Sequence, residues 1–506
     1  MDSSLAATVT ANSLASCILF LLTVALILVV RHEHERKSLP PGPRGIPIVG
    51  NVFDVPQEQP WATFSNLSRR YGDVICISIL GQITIVLNSI SSVSDLLEKR
   101  SSIYSTRPNV FVSISQALDW IWGVVFKLYG DDWRLHRRLL WRFFQPNTIM
   151  QWQSTQTREA RHLLLCLLED SSDLKNLIKF VSHGLPATRV GSDFVRLLSD
   201  VDSAGSEAFH HLVLILPWLR NIPRWCPGGR WQSQLNRWRQ LGQQLLDDPF
   251  DAAQDAMSRG DASPSILNQL LDAVPESQVT GVTEVTAKEI SAAVFAAGAD
   301  TTIATMTAFF CAIILYPDVQ TRAQEEPDAV VGPDRLPQIT DLPSLPYVKA
   351  VVKELLRWHS AAPSASLTAS RKRMSIGGGG SPAAPLGILH DPELWPDPDA
   401  FLPDRFMKDG SFNDEVFDPA NIAFSAGRRT CPGKHYAEAS LFINIASVLH
   451  TFNIMPAVDE RGLPVPVEHK VTTGIVSTVE PFEYSIRPRS EAAEALIRDS
   501  TRLDCA

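Results

Sequence analysis

The sequence is poor in cysteine and has no pattern that would bind structural zinc. Its 506 residues include seven cysteines, with no Cys-x-x-Cys pair and no cysteine–histidine zinc spacing. Such a scattered, odd set excludes a disulfide framework, and most of these thiols are expected to be buried in a reducing compartment. Basic charge is also in deficit, because 46 Lys plus Arg stand against 55 Asp plus Glu. The net charge of −9 argues against nucleic acid as the main partner.

The chain also lacks internal repeats and a nucleotide-binding fingerprint. No Gly-x-Gly-x-x-Gly segment is present, and the four glycines at 377–380 are not followed by Gly-Lys-Ser or Gly-Lys-Thr. Flexible filler explains those glycines better than a phosphate-binding loop. With 45% hydrophobic residues the composition excludes disorder and collagen and allows a large buried core. The length suggests three domains, although single folds of this size exist.

One long hydrophobic run lies near the amino end. Residues 13–30 carry no charge, and as a helix they would span about 27 Å, close to a bilayer core. Basic residues follow the run and none precedes it, which places the rest of the chain in the cytoplasm. A cleaved signal peptide is the alternative, but Arg31-His32-Glu33 offers no cleavage site. We predict a single-pass anchor in the endoplasmic reticulum membrane, in contact with membrane lipid.

The rest of the domain organisation follows from this anchor. Residues 1–12 form a short tail, and residues 31–50 form a basic, proline-rich hinge that holds the chain extended. For the proline-rich part of this hinge, residues 39–47, a recognition peptide for a proline-binding domain is the less expected interpretation so close to a membrane. Residues 51–488 form the folded body and residues 489–506 a C-terminal tail.

The body is predicted to be mainly helical with small β elements. Residues 74–87 indicate two strands joined near Gly81-Gln82, and residues 434–452 indicate a late apolar helix before short strands within 454–488. The clearest helix runs from Thr286, with Glu289 as its capping-box partner, to just before Pro317. Asp300 is the one charge between 290 and 315, and a charge is costly in lipid. A buried central helix is therefore favoured over a second membrane span.

Cys431 differs from the other cysteines because it lies in a loop that opens directly into a helix. Backbone N–H groups and the helix dipole there would lower the thiol pKa, so a thiolate could ligate a metal or act as a nucleophile. Gly427 and Gly433 would allow a flat or bulky group to approach, and Arg429 could pair with its acidic groups. Cys226 also precedes Pro-Gly but lacks the longer frame, and we interpret it as a structural thiol.

The frame Phe424-x-x-Gly427-x-Arg429-x-Cys431-x-Gly433 resembles the haem-binding loop of the cytochrome P-450 monooxygenases. Further motifs of the same family agree in order and spacing: Trp133-x-x-x-Arg137, Ala297-Gly298-Ala299-Asp300-Thr301-Thr302, Glu354-x-x-Arg357 and the segment 401–406 with Arg405. The local sequence around these motifs is similar to that of fungal, membrane-bound members of the family that oxidise secondary metabolites and aromatic compounds. The resemblance implies a mainly α fold with small β-sheets, in one large domain after a transmembrane helix.

The resemblance also implies a role for each motif. Cys431 would be the axial ligand of the iron of haem b (iron protoporphyrin IX), within the loop shaped by Phe424, Gly427 and Gly433. Trp133, Arg137 and Arg429 would contact the haem propionates. Asp300 and Thr301 would relay protons to dioxygen while Gly298 leaves it room, and Glu354, Arg357 and Arg405 would form a buried ionic network behind the loop. From the residues alone, Thr301 bonding back to the preceding turn beside an exposed Asp300 stays open, as does a surface Glu354–Arg357 pair.

The implied reaction is hydroxylation by dioxygen with two electrons and two protons. Electrons would come from NADPH through a separate reductase, docked on the basic stretch Arg134, His136, Arg137, Arg138 and Arg142, unless that stretch is only a solvated helix face. Substrate contacts would come from 109–126, Ala293, Ala297, 363–367 and 473–476. These stretches are mostly apolar, which suits a lipophilic small molecule such as a terpenoid, a polyketide, or an aromatic or steroid xenobiotic.

Two regions depart from the family pattern. Residues 375–390 are short and glycine-rich where strands are usual, and residues 171–205 are polar where an apolar helix is usual. An inactive haem-binding relative is therefore the alternative hypothesis. A reductase-independent isomerase or dehydratase on the same fold would usually alter the Asp300-Thr301 pair, which is kept here.

Overall fold

The fold was obtained as a computed structural model. It describes residues 39–46, 49–54, 60–79, 82–170, 174, 197, 200, 231–260, 265–276, 281–363, 368–369, 380–381, 385–472 and 476–503. The predicted anchor at 13–30, nearly all of 171–205, and residues 375–379 and 382–384 lie outside this set.

Helices make up most of the described chain, as the sequence predicts. They are α1 (Pro60–Tyr71), α2 (Ile90–Val93), α3 (Asn109–Leu118), α4 (Asp131–Phe144), α5 (Gln153–Glu169), α6 (Trp231–Arg259), α7 (Ile266–Asp272), α8 (Glu284–Leu315), α9 (Pro317–Val330), α10 (Pro346–Trp358), α11 (Pro385–Leu389), α12 (Ala420–Ala423), α13 (Lys434–Thr451) and α14 (Glu491–Leu503). A π-helical turn covers Ser94–Lys99, and 3₁₀ turns cover Ile149–Trp152, Val274–Glu276, Ile339–Ser344, Pro403–Phe406 and Gly427–Arg429.

The sheets are small. Strands β1 (Val74–Ile79) and β2 (Gln82–Leu87) pair antiparallel from Val74 opposite Leu87 to Ile79 opposite Gln82. The sheet has the order β1-β2-β4-β3, in which β3 (Thr368–Ala369) and β4 (Gly380–Ser381) are two-residue strands. Two antiparallel pairs complete the set: β5 (Met407–Lys408) with β6 (Ser411–Phe412), and β7 (Phe452–Pro456) with β8 (Tyr484–Pro488).

The folded body begins within the segment predicted as the hinge. The Cys76 N–H of β1 donates to the Pro41 carbonyl at 2.9 Å, and the Asn51 N–H donates to the Ser78 carbonyl at 2.5 Å. This close approach requires glycine at 42, because a Cβ there would lie 1.9 Å from the Cys76 oxygen. Residues 41–46 and 49–51 are therefore part of the folded body. The body begins earlier in the chain than the predicted boundary at residue 51.

Helix α8 is the central element of the core. Among the described residues it is the one helix long and apolar enough to cross a membrane, but 67% of its most apolar window is buried in protein. From Ile303 to Ile314 every side chain is buried, packed with α10 and α13. The prediction of a buried central helix over a membrane span agrees with this burial.

The start of α8 differs from the prediction. The helix begins at Glu284, with Thr283 as its N-cap, and the Thr283 hydroxyl accepts from the Thr286 N–H at 3.1 Å. The predicted capping box of Thr286 with Glu289 is therefore wrong. The Glu289 side chain instead reaches Lys127 and His136, because a buried cation attracts it more strongly than a backbone N–H.

The chain end also differs from the predicted tail. Helix α14 lies inside residues 489–506 and packs on α5 and α13, with Ile497 fully buried. Its apolar residues recur with the period of a helix and share one face, and burial of that face stabilises the helix.

Candidate functional site

The loop before α13 is closed on itself by backbone hydrogen bonds. The Cys431 N–H donates to the Phe424 carbonyl at 2.8 Å, which joins the two ends of the motif. Gly427 has φ +66°, and a Cβ there would lie 1.8 Å from the Leu97 carbonyl. Ser425 also has a positive φ, of 64°, which a non-glycine residue adopts only at a cost. These constraints give the loop one shape and present the side chain of Cys431 outward.

The Cys431 sulfur is exposed on one side and surrounded by protein on the other. Burial raises the pKa of the Cys431 thiol, while the Gly433 N–H and the positive charge of Arg137 act in the opposite direction. The sequence-based prediction of a lowered thiol pKa is therefore wrong for the protein alone, because burial outweighs the helix terminus. A cation at the exposed side is what would keep this sulfur ionised.

Two half-buried arginines lie beside the cysteine. Arg429 has its Cζ 4.5 Å from the centre of the Trp133 ring, and Arg137 lies over the same ring at 5.9 Å. Arg429 donates through Nε to the Ser105 carbonyl at 2.8 Å and through Nη2 to the Lys127 carbonyl at 2.9 Å. Burial, together with repulsion from Arg107 and Arg137, lowers the pKa of Arg429 to about 8. Three arginines, Arg107, Arg137 and Arg429 (the arginine corner), thus lie close enough together for their charges to repel one another.

The Nη1 group of Arg429 tests whether the surroundings of Cys431 fit a haem. Among the described residues, the buried Nη1 of Arg429 has no hydrogen-bond partner. A buried, charged N–H without an acceptor is costly, and a carboxylate ligand would remove that cost. A soft sulfur donor, an aromatic ring and carboxylate-binding arginines together are what an iron porphyrin with propionates requires. The residues present therefore fit the group.

Helix α8 has an open face in the middle of its buried length. Ala297 and Gly298 are exposed, although Ala299 on the opposite side is 1% exposed. The Thr301 hydroxyl donates to the Ala297 carbonyl at 2.9 Å, which is the back-bonded arrangement that the sequence left open. Thr302, Thr305 and Thr307 bond back to carbonyls four residues earlier in the same way. Such bonds compete with the helical ladder, so this stretch of α8 is locally weakened.

Glu354, Arg357 and Arg405 form one buried ionic network. Arg357 donates to both carboxylate oxygens of Glu354 at 2.8 Å, and both side chains are fully buried. Arg405 approaches the same carboxylate at 3.3 Å. Arg357 also donates to the carbonyls of Leu389, Pro398 and Ala400. The network thus ties α10 to the loops on both sides of residue 400, and the alternative of a surface pair does not hold.

Two functional positions were missed by sequence reasoning. Lys353, next to Glu354, bonds Asp418 at 2.9 Å and Glu438 of α13, and so ties α10 to the helix that follows the cysteine loop. Arg107 is 5% exposed, donates to the Val125 carbonyl at 2.6 Å, and has its pKa lowered by burial to about 10. The signal for Lys353 was its adjacency to the Glu-x-x-Arg motif, whereas Arg107 has no local motif.

The basic stretch on α4 divides into an exposed and a buried set. Arg134, Arg138 and Arg142 are exposed and follow one another at a spacing of four, with the exposed Trp141 beside them. His136 is 1% exposed and Arg137 is turned onto Trp133, so the prediction that these two contribute to a basic surface is wrong. The helical period turns them towards the core.

The predicted substrate stretches are placed only in part. Ala293 is half-buried and Ala297 is exposed on α8, whereas 364–367 and 473–475 lie outside the described residues. Trp120 is 6% exposed and donates to the Trp238 carbonyl of α6 at 3.3 Å, and Trp122 is 8% exposed in the main core. These two tryptophans pack the structure and do not line an open cleft.

The comparisons with known proteins agree with this site. Residues 40–485 match the profile of the Cytochrome P450 family. The chain is 34% identical to Cytochrome P450 monooxygenase COX1 of Coprinopsis cinerea, over 91% of this chain and 93% of the relative. It is 34% identical to Cytochrome P450 monooxygenase ARMGADRAFT_974139 of Armillaria gallica, over 96% and 99%. Cytochrome P450 monooxygenase claR of Ampulloclitocybe clavipes is 32% identical, over 94% and 91%. The chain therefore belongs to the cytochrome P450 family and is a fungal, haem b-dependent monooxygenase.

Proposed function

We propose that this monooxygenase hydroxylates a lipophilic small molecule of secondary metabolism, with Cys431 as the thiolate ligand of the haem iron. One observation carries the proposal: the exposed Cys431 stands beside half-buried arginines, one of which, Arg429, has a buried N–H group without an acceptor among the described residues. The balanced reaction is RH + O2 + 2 electrons + 2 H⁺ giving ROH + H2O. Haem b, when bound, supplies the iron at which dioxygen is activated.

The residues around the loop would hold that group. Cys431 binds the metal through sulfur, and the Gly433 N–H stabilises the negative charge on it. Arg429 and Arg137 bind the propionates, and the ring of Trp133 lies under both guanidinium groups. The Glu354–Arg357–Arg405 network joins α10 to the chain on both sides of residue 400, and Lys353 joins the same helix to α13, which follows the loop.

Proton delivery would use the open face of α8. The Thr301 Oγ1–H donates to the Ala297 carbonyl, and rotation about χ1 turns the same proton towards the open face. Exchanging one hydrogen bond for another costs little, so the Thr301 hydroxyl would hold its proton at the open face, and Asp300 would resupply that proton through water.

The substrate class follows from the surface that α8 offers. The exposed positions Ala297 and Gly298 carry no polar side chain, and Ala293 lies one turn earlier on the same helix. An apolar wall excludes charged molecules and selects hydrophobic ones by area. The names of the three relatives state monooxygenase activity and no substrate.

Replacing Gly298 by alanine should separate stability from activity. A Cβ at 298 meets no heavy atom within 4 Å, so the free energy of unfolding should rise by about 0.5–1 kcal/mol. The same methyl projects into the open face, and the rate of product formation should fall. Denaturant unfolding and reductase-supported turnover measure the two effects. Gly242→Ala is the contrast, because its Cβ would lie 1.9 Å from Trp120 Nε1 and should destabilise the protein.

The exposed arginines of α4 are proposed to dock an NADPH-dependent reductase with an acidic surface. Arg138→Glu should raise the KM for reductase severalfold, with the largest effect at low salt, because exposed charges are screened within about 10 Å at 0.1 M. The control is turnover supported by a peroxide, which needs no reductase and should stay unchanged. An equal loss in both assays would contradict a docking role. A single-pass anchor at 13–30 in the endoplasmic reticulum membrane would keep enzyme and reductase on one surface.

The function is tested with the full-length chain expressed in membranes. A thiolate-type Soret band in the carbon monoxide difference spectrum, and NADPH consumption with reductase and lipophilic substrates, are expected. A Soret band of the kind that lacks the thiolate, with no product from any substrate, would favour the inactive relative.

A further inference from the structure

An ionic cluster that is largely buried, but open to solvent at Asp132, lies between α8, α4 and the loop that precedes α4. Glu289 of α8 bonds Lys127 Nζ at 3.0 Å and His136 Nε2 at 2.8 Å through the same oxygen, Oε2. Lys127 Nζ also bonds Asp132 at 2.8 Å. The Lys127 side chain is 10% exposed and that of His136 is 2% exposed. These four residues, Lys127, Asp132, His136 and Glu289, are called the Glu289 cluster below.

His136 links Asp132 to Glu289 through its two ring nitrogens. Its Nδ1 lies 2.9 Å from the Asp132 carbonyl and 3.1 Å from the Asp132 carboxylate, while its Nε2 faces the Glu289 carboxylate. Every one of these oxygens is a hydrogen-bond acceptor, so each ring nitrogen has an acceptor within reach. His136 thus ties the first turn of α4 to α8.

The cluster is joined to the site through the backbone. The Lys127 carbonyl is the acceptor for Arg429 Nη2 at 2.9 Å. His136 precedes Arg137 and follows Trp133 by nearly one turn of α4. Glu289 lies about three turns before Asp300 on α8. One carboxylate thus joins the helix of the proton-relay residues to the loop and helix that hold the arginine corner.

We propose that Glu289 is a positioning residue for the haem edge, acting through Lys127 and His136 on the partners of Arg429. The inference rests on the proposed function, in which Arg429, Arg137 and Trp133 contact the propionates. Removing the Glu289 charge would leave Lys127 paired with Asp132 alone, which should loosen the segment that carries the 127 carbonyl and let Arg429 move. Changes in such outer partners typically cost 10-fold or more in metal affinity or activity.

The test measures haem loss and midpoint potential in the full-length holoenzyme. Glu289→Gln should raise the rate of haem transfer to an acceptor globin about tenfold. It should also shift the midpoint potential upwards, because the cluster gains net positive charge and favours the reduced haem. Lys127→Met, which keeps the 127 carbonyl, should raise haem loss as well but shift the potential downwards. In the double variant the two shifts in potential should largely cancel.

Asp247→Asn is the matched control. Asp247 of α6 bonds Lys288 Nζ at 2.5 Å, and Lys288 precedes Glu289 on α8. This variant therefore removes an ion pair from the adjacent residue of the same helix. It should leave haem loss and potential unchanged. Equal haem loss and potential in Glu289→Gln and wild type would overturn the proposal, as would shifts of the same sign in both single variants. A wild type without the thiolate-type band would overturn the proposed ligand, while the comparison of haem-loss rates would still decide the role of Glu289.

Discussion

Replacing Cys431 by serine is expected to abolish the thiolate-type Soret band of the reduced carbon monoxide complex, and turnover with it. The serine hydroxyl remains protonated at neutral pH and cannot supply the electron density of a thiolate. The loop itself should survive, because its closure uses the Cys431 N–H, the Phe424 carbonyl and the Thr430–Gly427 bond, none of which involves sulfur. Circular dichroism and difference spectra of the same preparation measure the two outcomes.

Cys166→Ser is the control for this substitution. Cys166 is half-buried on α5, and burial raises the pKa of its thiol to about 11, so it stays a thiol at neutral pH. The Cys166→Ser protein should keep the band and the activity. Persistence of the band in the Cys431→Ser protein would show that another residue ligates the iron.

Replacing Arg357 by leucine is expected to have the largest effect on stability. The variant leaves the fully buried Glu354 carboxylate without its bidentate partner, and three carbonyls lose a donor. Breaking one partner of a buried pair costs about 3–5 kcal/mol, and native proteins have only about 5–15 kcal/mol to lose. We expect little soluble protein and no bound haem, measured by yield, haem content and urea unfolding.

Arg335→Leu makes the same chemical change at the surface. Arg335 also donates to both oxygens of a carboxylate, Asp341, at 2.7 and 3.0 Å, but its side chain is 41% exposed. Water replaces the lost bonds there, so the cost should not exceed about 1 kcal/mol. The loss of unfolding free energy in Arg405→Leu should lie between those of Arg335→Leu and Arg357→Leu, because Glu354 keeps its bidentate partner Arg357. Similar losses for Arg335→Leu and Arg357→Leu would mean that burial is not what makes the network important.

The cysteine loop shows how much a short segment can predict. Its features are local: two glycines, an arginine and a cysteine within ten residues, followed by a helix. The same holds for α8, because its stretch 290–315 is apolar with Asp300 as the one charge, which predicts burial. The predicted start of that helix failed because Thr283 and Thr286 are both good caps, and local propensity does not rank them.

The arginine corner shows the opposite case. Arg429 meets the carbonyls of residues 105 and 127, more than three hundred positions earlier in the chain. Nothing near Arg107 in the sequence marks it as a buried cation beside Arg429, because that proximity arises from packing between distant segments.

The sequence by itself determined the family, the mainly helical class, the central buried helix and the residues of each motif, because these depend on composition and on spacing within one element. The tertiary structure alone decided which side chains face one another. It turned His136 and Arg137 inwards, directed Glu289 to Lys127 instead of to its own helix end, and bonded Lys353 to Asp418 and Glu438. The reason is physical: a helical period defines which residues share a face, but only the packed neighbours define what that face meets.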